Sequence, residues 1–290
     1  MTRSTRRVSQ RAVLALLLAA GCGGPGTGPT PPPPPPPPPA NAAPQIRSLT
    51  TSAPRAEVDV PITLTAVVED AETPVANLTY TWSADTGTFS GSGASVTWVA
   101  GQDAATPADV VLTLTVTERY TSGTSQAENK ASGTTTVRLN NSPKELRELS
   151  LRFLGDFANS RISPEQCVSE FSDTCSGKKA ELEDIQDNRH DFEIIGSTLR
   201  HTSLSIAPSR TTATVHTFCA FTSRVITDSP REESCLNGKC PKGSVGSVQG
   251  DCWTTNVYEK GRWWICESHF SSVGTLTDFG RAFFGIRAPR

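Results

Sequence analysis

Three things are scarce in this chain, and each scarcity removes a class of function. Net charge is nearly zero: 27 basic against 29 acidic side chains among 290 residues, a formal charge of −2. No global field therefore draws the protein to nucleic acid or to an anionic membrane surface. Long apolar runs are missing too. The stretch "AVLALLLAAG", Ala12 to Gly21, falls short of the roughly 20 apolar residues that cross a bilayer. Histidines are few and scattered: His190, His201, His216 and His269 show neither an HExxH pattern nor any paired-ligand spacing. No metal and no cofactor are expected on that basis.

What is present begins with an uneven use of cysteine. Seven of the eight cysteines follow Asn141, which argues for disulfides in an oxidising compartment. The start of the chain agrees. Arg3, Arg6, Arg7 and Arg11 precede the short apolar run, and Ala19, Ala20 and Gly21 then lead into Cys22. This is the pattern of a secretory signal peptide cleaved before Cys22.

These first 22 residues resemble bacterial lipoproteins, with one departure: Ala19 stands where leucine is common. The resemblance implies a diacylglyceryl group on Cys22 and attachment to a membrane of a Gram-negative cell envelope, the outer membrane or cell surface favoured. Each buried CH₂ would contribute about 0.8 kcal/mol to the anchor. Glycines at 23–28 and nine prolines, Pro31–Pro39, then form a stalk. Polyproline II at about 3.1 Å per residue makes it roughly 28 Å long.

From Asn41 to Asn141 the pattern is strand and turn. Ile62, Leu64, Ala66 and Val68 alternate with polar neighbours, as do Leu112, Leu114 and Val116 with Thr113, Thr115 and Thr117. About seven short strands in about 100 residues suggest a two-sheet sandwich. The stretch "NLTYTWSADTGTFSGSGASVTWVA", with "VVLTLTVTE", resembles bacterial immunoglobulin-like modules of the polycystic-kidney-disease type. The resemblance implies that Trp82 is the buried tryptophan and that the segment serves spacing or adhesion. Glu69, Asp70 and Glu72 are a possible calcium set, with a solvated acidic loop the favoured reading.

After Asn141 the periodicity changes. Ser142 is expected as an N-cap with Glu145 at the capping-box position, ahead of a helix with Leu146, Leu149, Phe153, Leu154 and Phe157 on one stripe. A second helix is expected over Pro164–Phe171 and a third over "GKKAELEDIQDNRHDF". Long strands follow, with "EKGR" as a hairpin turn. This order resembles the nuclear transport factor 2-like fold, which hosts isomerases, cyclases and non-catalytic binders alike.

The expected fold class is thus two domains, an all-β immunoglobulin-like sandwich followed by an α+β cone of helices on a curved antiparallel sheet. The expected boundaries are 1–21 leader, 22–42 lipidated cysteine and stalk, 43–141 sandwich, and 142–290 cone. Expected disulfides are Cys167–Cys175, Cys235–Cys240 and Cys219–Cys252, the last if Val225 pairs with Gly246; Cys266 is then odd. No catalytic residue is assigned. His216 shares a strand face with Thr214 and Phe218, opposite the more apolar face. Tyr258 is expected at the rim, and Asp191 and Asp251 show no evident partner. The aromatics of "CWTTNVYEKGRWWICESHF" are read as core filling before ligand platform. The expected function is a non-enzymatic envelope lipoprotein presenting a binding domain to a protein, glycan or small ligand, or to a second copy of itself, with no nucleic-acid partner. The alternative is a tethered enzyme of the ketosteroid isomerase or polyketide cyclase class.

Overall fold

The structure is a computed structural model that describes residues 41–228 and 240–272. Cys22, the stalk, Cys235 and the leader lie outside the described residues. From Ala42 onward the chain belongs to one compact unit.

Eight strands build the first part: β1 (Gln45–Thr51), β2 (Arg55–Glu57), β3 (Ile62–Glu69), β4 (Thr79–Ser83), β5 (Thr88–Ser90), β6 (Ser95–Val99), β7 (Ala108–Ser122) and β8 (Ser125–Asn140). They form two four-stranded sheets, β1-β3-β6-β5 and β2-β8-β7-β4. The alternating apolar residues of both sheets meet in shared clusters, where Leu64, Trp98, Leu112, Leu114, Val116, Val137 and Leu139 are fully buried. The expected tryptophan is corrected here. Trp98 on β6 is the fully buried one, whereas Trp82 on β4 is half-buried. Gly87 explains why Trp98 fits: at φ +80° it adopts a left-handed turn, and a Cβ there would lie 2.6 Å from the indole nitrogen. That nitrogen donates to the Thr86 carbonyl at 3.0 Å.

The second part contains α1 (Ser142–Ala158), α2 (Pro164–Cys167), α3 (Gly177–Asp191), β9 (Phe192–Ile206), β10 (Thr212–Val225), β11 (Val245–Glu259) and β12 (Arg262–Ser272). The strands form one antiparallel sheet in the order β12-β11-β10-β9. Lys260 and Gly261, both at positive φ, make the β11–β12 turn, the geometry that a two-residue hairpin favours.

The expected fold class does not stand. Among the described residues strand makes up about 53% and helix 19%, arranged in three sheets with only three α-helices. The reason is visible in the residues. The alternating runs extend without a break into strands of 14 to 16 residues. The expected second helix closes after one turn, Pro164–Cys167, and passes into a 3-10 turn at Val168–Glu170. Only α1 carries a full apolar stripe, with Leu146, Leu149, Phe153, Leu154 and Phe157 buried.

The two parts meet without a linker. β2 pairs in parallel with β8, and Asn141 alone separates β8 from α1. Asn141 rather than Ser142 is the N-cap, accepting from the Lys144 amide at 3.2 Å. Glu145, one turn in, accepts from the Asn141 amide at 2.8 Å and from the Asn140 side chain. Ser142 does something else. Its amide and hydroxyl donate to the buried Glu57 carboxylate at 2.9 and 2.7 Å, and its hydroxyl accepts from the Trp263 indole at 2.8 Å. Arg55 pairs with Glu57 at 3.3 Å and lies 3.8 Å over the Tyr258 ring. Burial pushes the Glu145 carboxyl up, with the Glu57 charge adding to the effect.

Candidate functional site

The β9–β12 sheet has two unlike faces, and strand parity assigns them. Ala213, Val215, Thr217, Cys219, Phe221 and Val225 of β10 are buried beneath α1, while Thr214, His216, Phe218, Ala220 and Thr222 lie half-exposed on the other side. Cross-strand register extends this to the neighbours: His216 stands beside Trp253 and Ser203, and Trp253 beside His269.

Among the described residues the covered face is closely packed. Phe153 and Phe171 meet edge to face at 5.1 Å, and Phe157 and Phe221 at 5.5 Å. Trp263 and Ile265 are also buried, at 3% and 0% exposure. A depression near the ends of α1 and α3, lined by Phe157, Asn188, Phe192 and Ile194, has room for about one water. Some of the polar groups beneath α1 bond one another, while Ser223 Oγ and Asn256 Oδ1 have no hydrogen-bond partner among the described residues. Ser150 and Thr217 share a bond at 3.4 Å, and the Asn256 amide donates to Thr254.

The other face, which no element among the described residues covers, carries the groups that could recognise something. His216 Nδ1 lies 2.6 Å from Asp251 Oδ2, with both side chains 37% exposed. An ionised carboxylate only accepts, so in a bond to that form Nδ1 is the donor. The His216 ring stacks on Trp253 at 6.0 Å, and Trp253 stacks on His269 at 5.2 Å. One strand over, the Arg200 guanidinium lies 5.6 Å from the Phe218 ring. The result is a stripe of imidazole, indole and phenyl rings flanked by the Arg200 cation and by two carboxylates, Asp251 and Glu267, the latter 3.3 Å from His269 Nε2.

The remaining sequence candidates fall elsewhere. Tyr258 is part of the junction, donating to Asn140 at 2.8 Å. Asp191 is fully buried and accepts from His190 at 2.7 Å. Glu69 pairs with Arg47 at 2.7 Å, and Asp70 accepts from the Glu72 and Thr73 amides at 3.0 and 2.7 Å. Among the described residues no group of three or more acidic, histidine or cysteine side chains could hold a metal ion.

The cysteines required one correction. Cys175 is bonded to Cys266, not to Cys167. Cys167 is a buried free thiol, held between the Asp156 carbonyl at 3.3 Å and the Arg189 guanidinium at 3.2 Å, and burial pushes it up. The cause is a bulge: the β11–β12 register shifts at Thr255/Asn256, leaving Cys266 unpaired in the ladder and free to meet α3's approach. Cys219 and Cys252 are joined, although the register differs from expectation by two residues. Cys219 lies opposite Gly250, and the bond is diagonal. Cys240 is disulfide-bonded.

Two residues had no sequence signal. Glu181 on α3 accepts from the Ser268 hydroxyl, and burial pushes its carboxyl up to about 7. Arg189 donates to the carbonyls of Asp156 and Asn159 at 3.1 Å, and to that of Ile162, closing the end of α1. Both sit in a helix so polar that no single side chain stands out.

No protein-family model matches the chain, and no curated protein matches it. Solved structures with some similarity include a conserved protein from Planctomyces limnophilus, 14% identical, with 46% of this chain and 98% of that chain covered at a TM-score of 0.32. Another, from Novosphingobium aromaticivorans and named for scytalone dehydratase, is 13% identical, with 51% and 95% covered and a TM-score of 0.35.

Proposed function

We propose that this is a lipid-anchored cell-envelope protein that presents a binding face rather than a catalytic cavity, the face being the uncovered side of β9–β12. One observation carries the reading. Large side chains pack the covered face, where a small molecule would have to react, while His216, Phe218, Trp253, His269 and Arg200 lie together on the open one. Aromatic and arginine side chains are the groups that dominate recognition surfaces. Polar-linked rings suit a protein or glycan surface better than a buried apolar ligand. The sandwich, read as immunoglobulin-like, and the proline stalk hold this face away from the membrane, with Cys22 as the attachment point.

Two measurements test it. Palmitate labelling of the full chain in its host should disappear with Cys22→Ser; label that persists unchanged removes the anchor. Replacing Arg200 and His269, the exposed members of the stripe, together by Ala should leave thermal stability within about 1 kcal/mol, as surface changes do, while cross-linking to envelope neighbours or to a second copy is lost. Cross-linking that persists unchanged in this variant would sink the binding-face reading.

A further inference from the structure

The helix α3 is an unusual cover. Its 15 residues offer Leu182 and Ile185 as apolar contacts, and of these only Ile185 is fully buried. A helix of this length is marginal in water without an amphipathic face to dock, so its position depends on discrete attachments. At its start Cys175 is bonded to Cys266, 91 residues away. Gly177 lies so close to β12 that a Cβ would be 2.2 Å from the Cys266 carbonyl oxygen. Midway, Glu181 meets Ser268. At its end Arg189 holds the α1 carbonyls. Beneath it lie β12 and the 3-10 turn that ends at Phe171, where Phe171 and Ile265 are fully buried.

The two disulfides with both cysteines among the described residues differ in access. Cys219 and Cys252 are 0% and 2% exposed in the sheet, whereas Cys175 and Cys266 are both half-buried at the surface. A thiolate must reach a sulfur to exchange with it, so exposed disulfides are the labile ones.

We propose that α3 is a redox-controlled cover, released from β12 by selective reduction of Cys175–Cys266. A dithiol attacks one sulfur, the S–S bond breaks, and a mixed disulfide forms. The second thiol of the reductant then displaces the other cysteine. The protein gains two electrons and two protons as two thiols, and the dithiol becomes a disulfide. With its N-terminal staple gone, α3 keeps one buried aliphatic side chain and its polar clasps. It lifts to expose the apolar surface around Phe171 and Ile265.

The test uses the full chain in detergent under graded dithiothreitol, with alkylation, hydrogen exchange and the fluorescence of anilinonaphthalene sulfonate as readouts. Cys175 and Cys266 should be alkylated at dithiol concentrations that leave Cys219 and Cys252 intact. At that point exchange across 177–191 should quicken about tenfold or more while β10 is unchanged, and dye fluorescence should rise. Cys175→Ser with Cys266→Ser should show the same exchange without reductant. If that variant does not accumulate, graded reduction of the native protein decides. Simultaneous reduction of both disulfides, or alkylation of Cys175 and Cys266 with no change in α3 exchange, would overturn the proposal.

Discussion

Ser142→Ala is the most informative single change at the junction, because two effects oppose each other and their sizes decide the sign. Alanine is the better helix former, worth about 0.5 kcal/mol at this position. Against this, the Trp263 indole N–H, 97% buried by its 3% exposure, loses its acceptor at 2.8 Å. A buried unpaired donor costs about 1–3 kcal/mol. The Glu57 carboxylate also loses a hydroxyl donor at 2.7 Å, a charged hydrogen bond worth about 1.5–3 kcal/mol, partly made up by the Ser142 amide and Arg55 that remain on it. The net expectation is a destabilisation of about 3 kcal/mol, measured as the shift in urea midpoint at constant m-value by far-ultraviolet circular dichroism. A double-mutant cycle isolates the contact. With Trp263→Phe in the background, Ser142→Ala should cost about 1–2 kcal/mol less, because the orphaned donor is gone. A cost under about 0.5 kcal/mol for Ser142→Ala, or a coupling near zero, would refute the claim that this serine ties the helix to β2 and β12.

Other expectations follow from the same contacts. The Glu181 carboxyl titrates at about 7 in the fold against 4.5 unperturbed. The folded state therefore favours its protonated form, a contribution fully present below about pH 4.5 and lost as pH rises through 7. Stability should fall between pH 5 and pH 8 by up to about 3 kcal/mol, less in proportion to the water that reaches this half-covered side chain. Glu181→Gln should flatten that slope in thermal melts, and an unchanged slope would dissociate Glu181 from it. Gly250→Ala would set a Cβ 2.1 Å from the Ser271 carbonyl oxygen. It should cost about 2 kcal/mol or more, and an alanine variant with wild-type melting would contradict the close approach of β12. Arg189→Lys should loosen the end of α1 by about 1 kcal/mol, seen as faster exchange at 156–162.

Much of the sheet was legible because parity is local. His216, Phe218 and Thr214 were placed on one face, and Val215, Cys219 and Phe221 on the other, from alternation alone. Pairing is not local. One bulge at Cys266 redirects that side chain to Cys175, and nothing in the β12 segment announces it. The same limit applied to Trp82 and Trp98. Both alternate correctly with their neighbours, and only the sheet that each strand joins, with Gly87 opposite, decides which indole is enclosed. The cap shifted by one residue because Asn141 and Ser142 are both good caps. Glu57, 85 residues upstream, recruits the serine for another purpose. The fold class failed on proportion: three helical segments were found where expected, but two of them lack the apolar stripe that would make them a layer.

The single residue between β8 and α1 has a consequence for how this chain can vary. Each residue added to a helix start turns the following side chains by about 100°. An insertion after Asn140 would either swing Leu146, Phe153 and Phe157 off the sheet or drag Ser142 from Glu57. The length of the chain at this point behaves as a toothed coupling with one permitted mesh. Exchanging the terminal half for another would have to cut elsewhere, or carry β2 and β8 along with it.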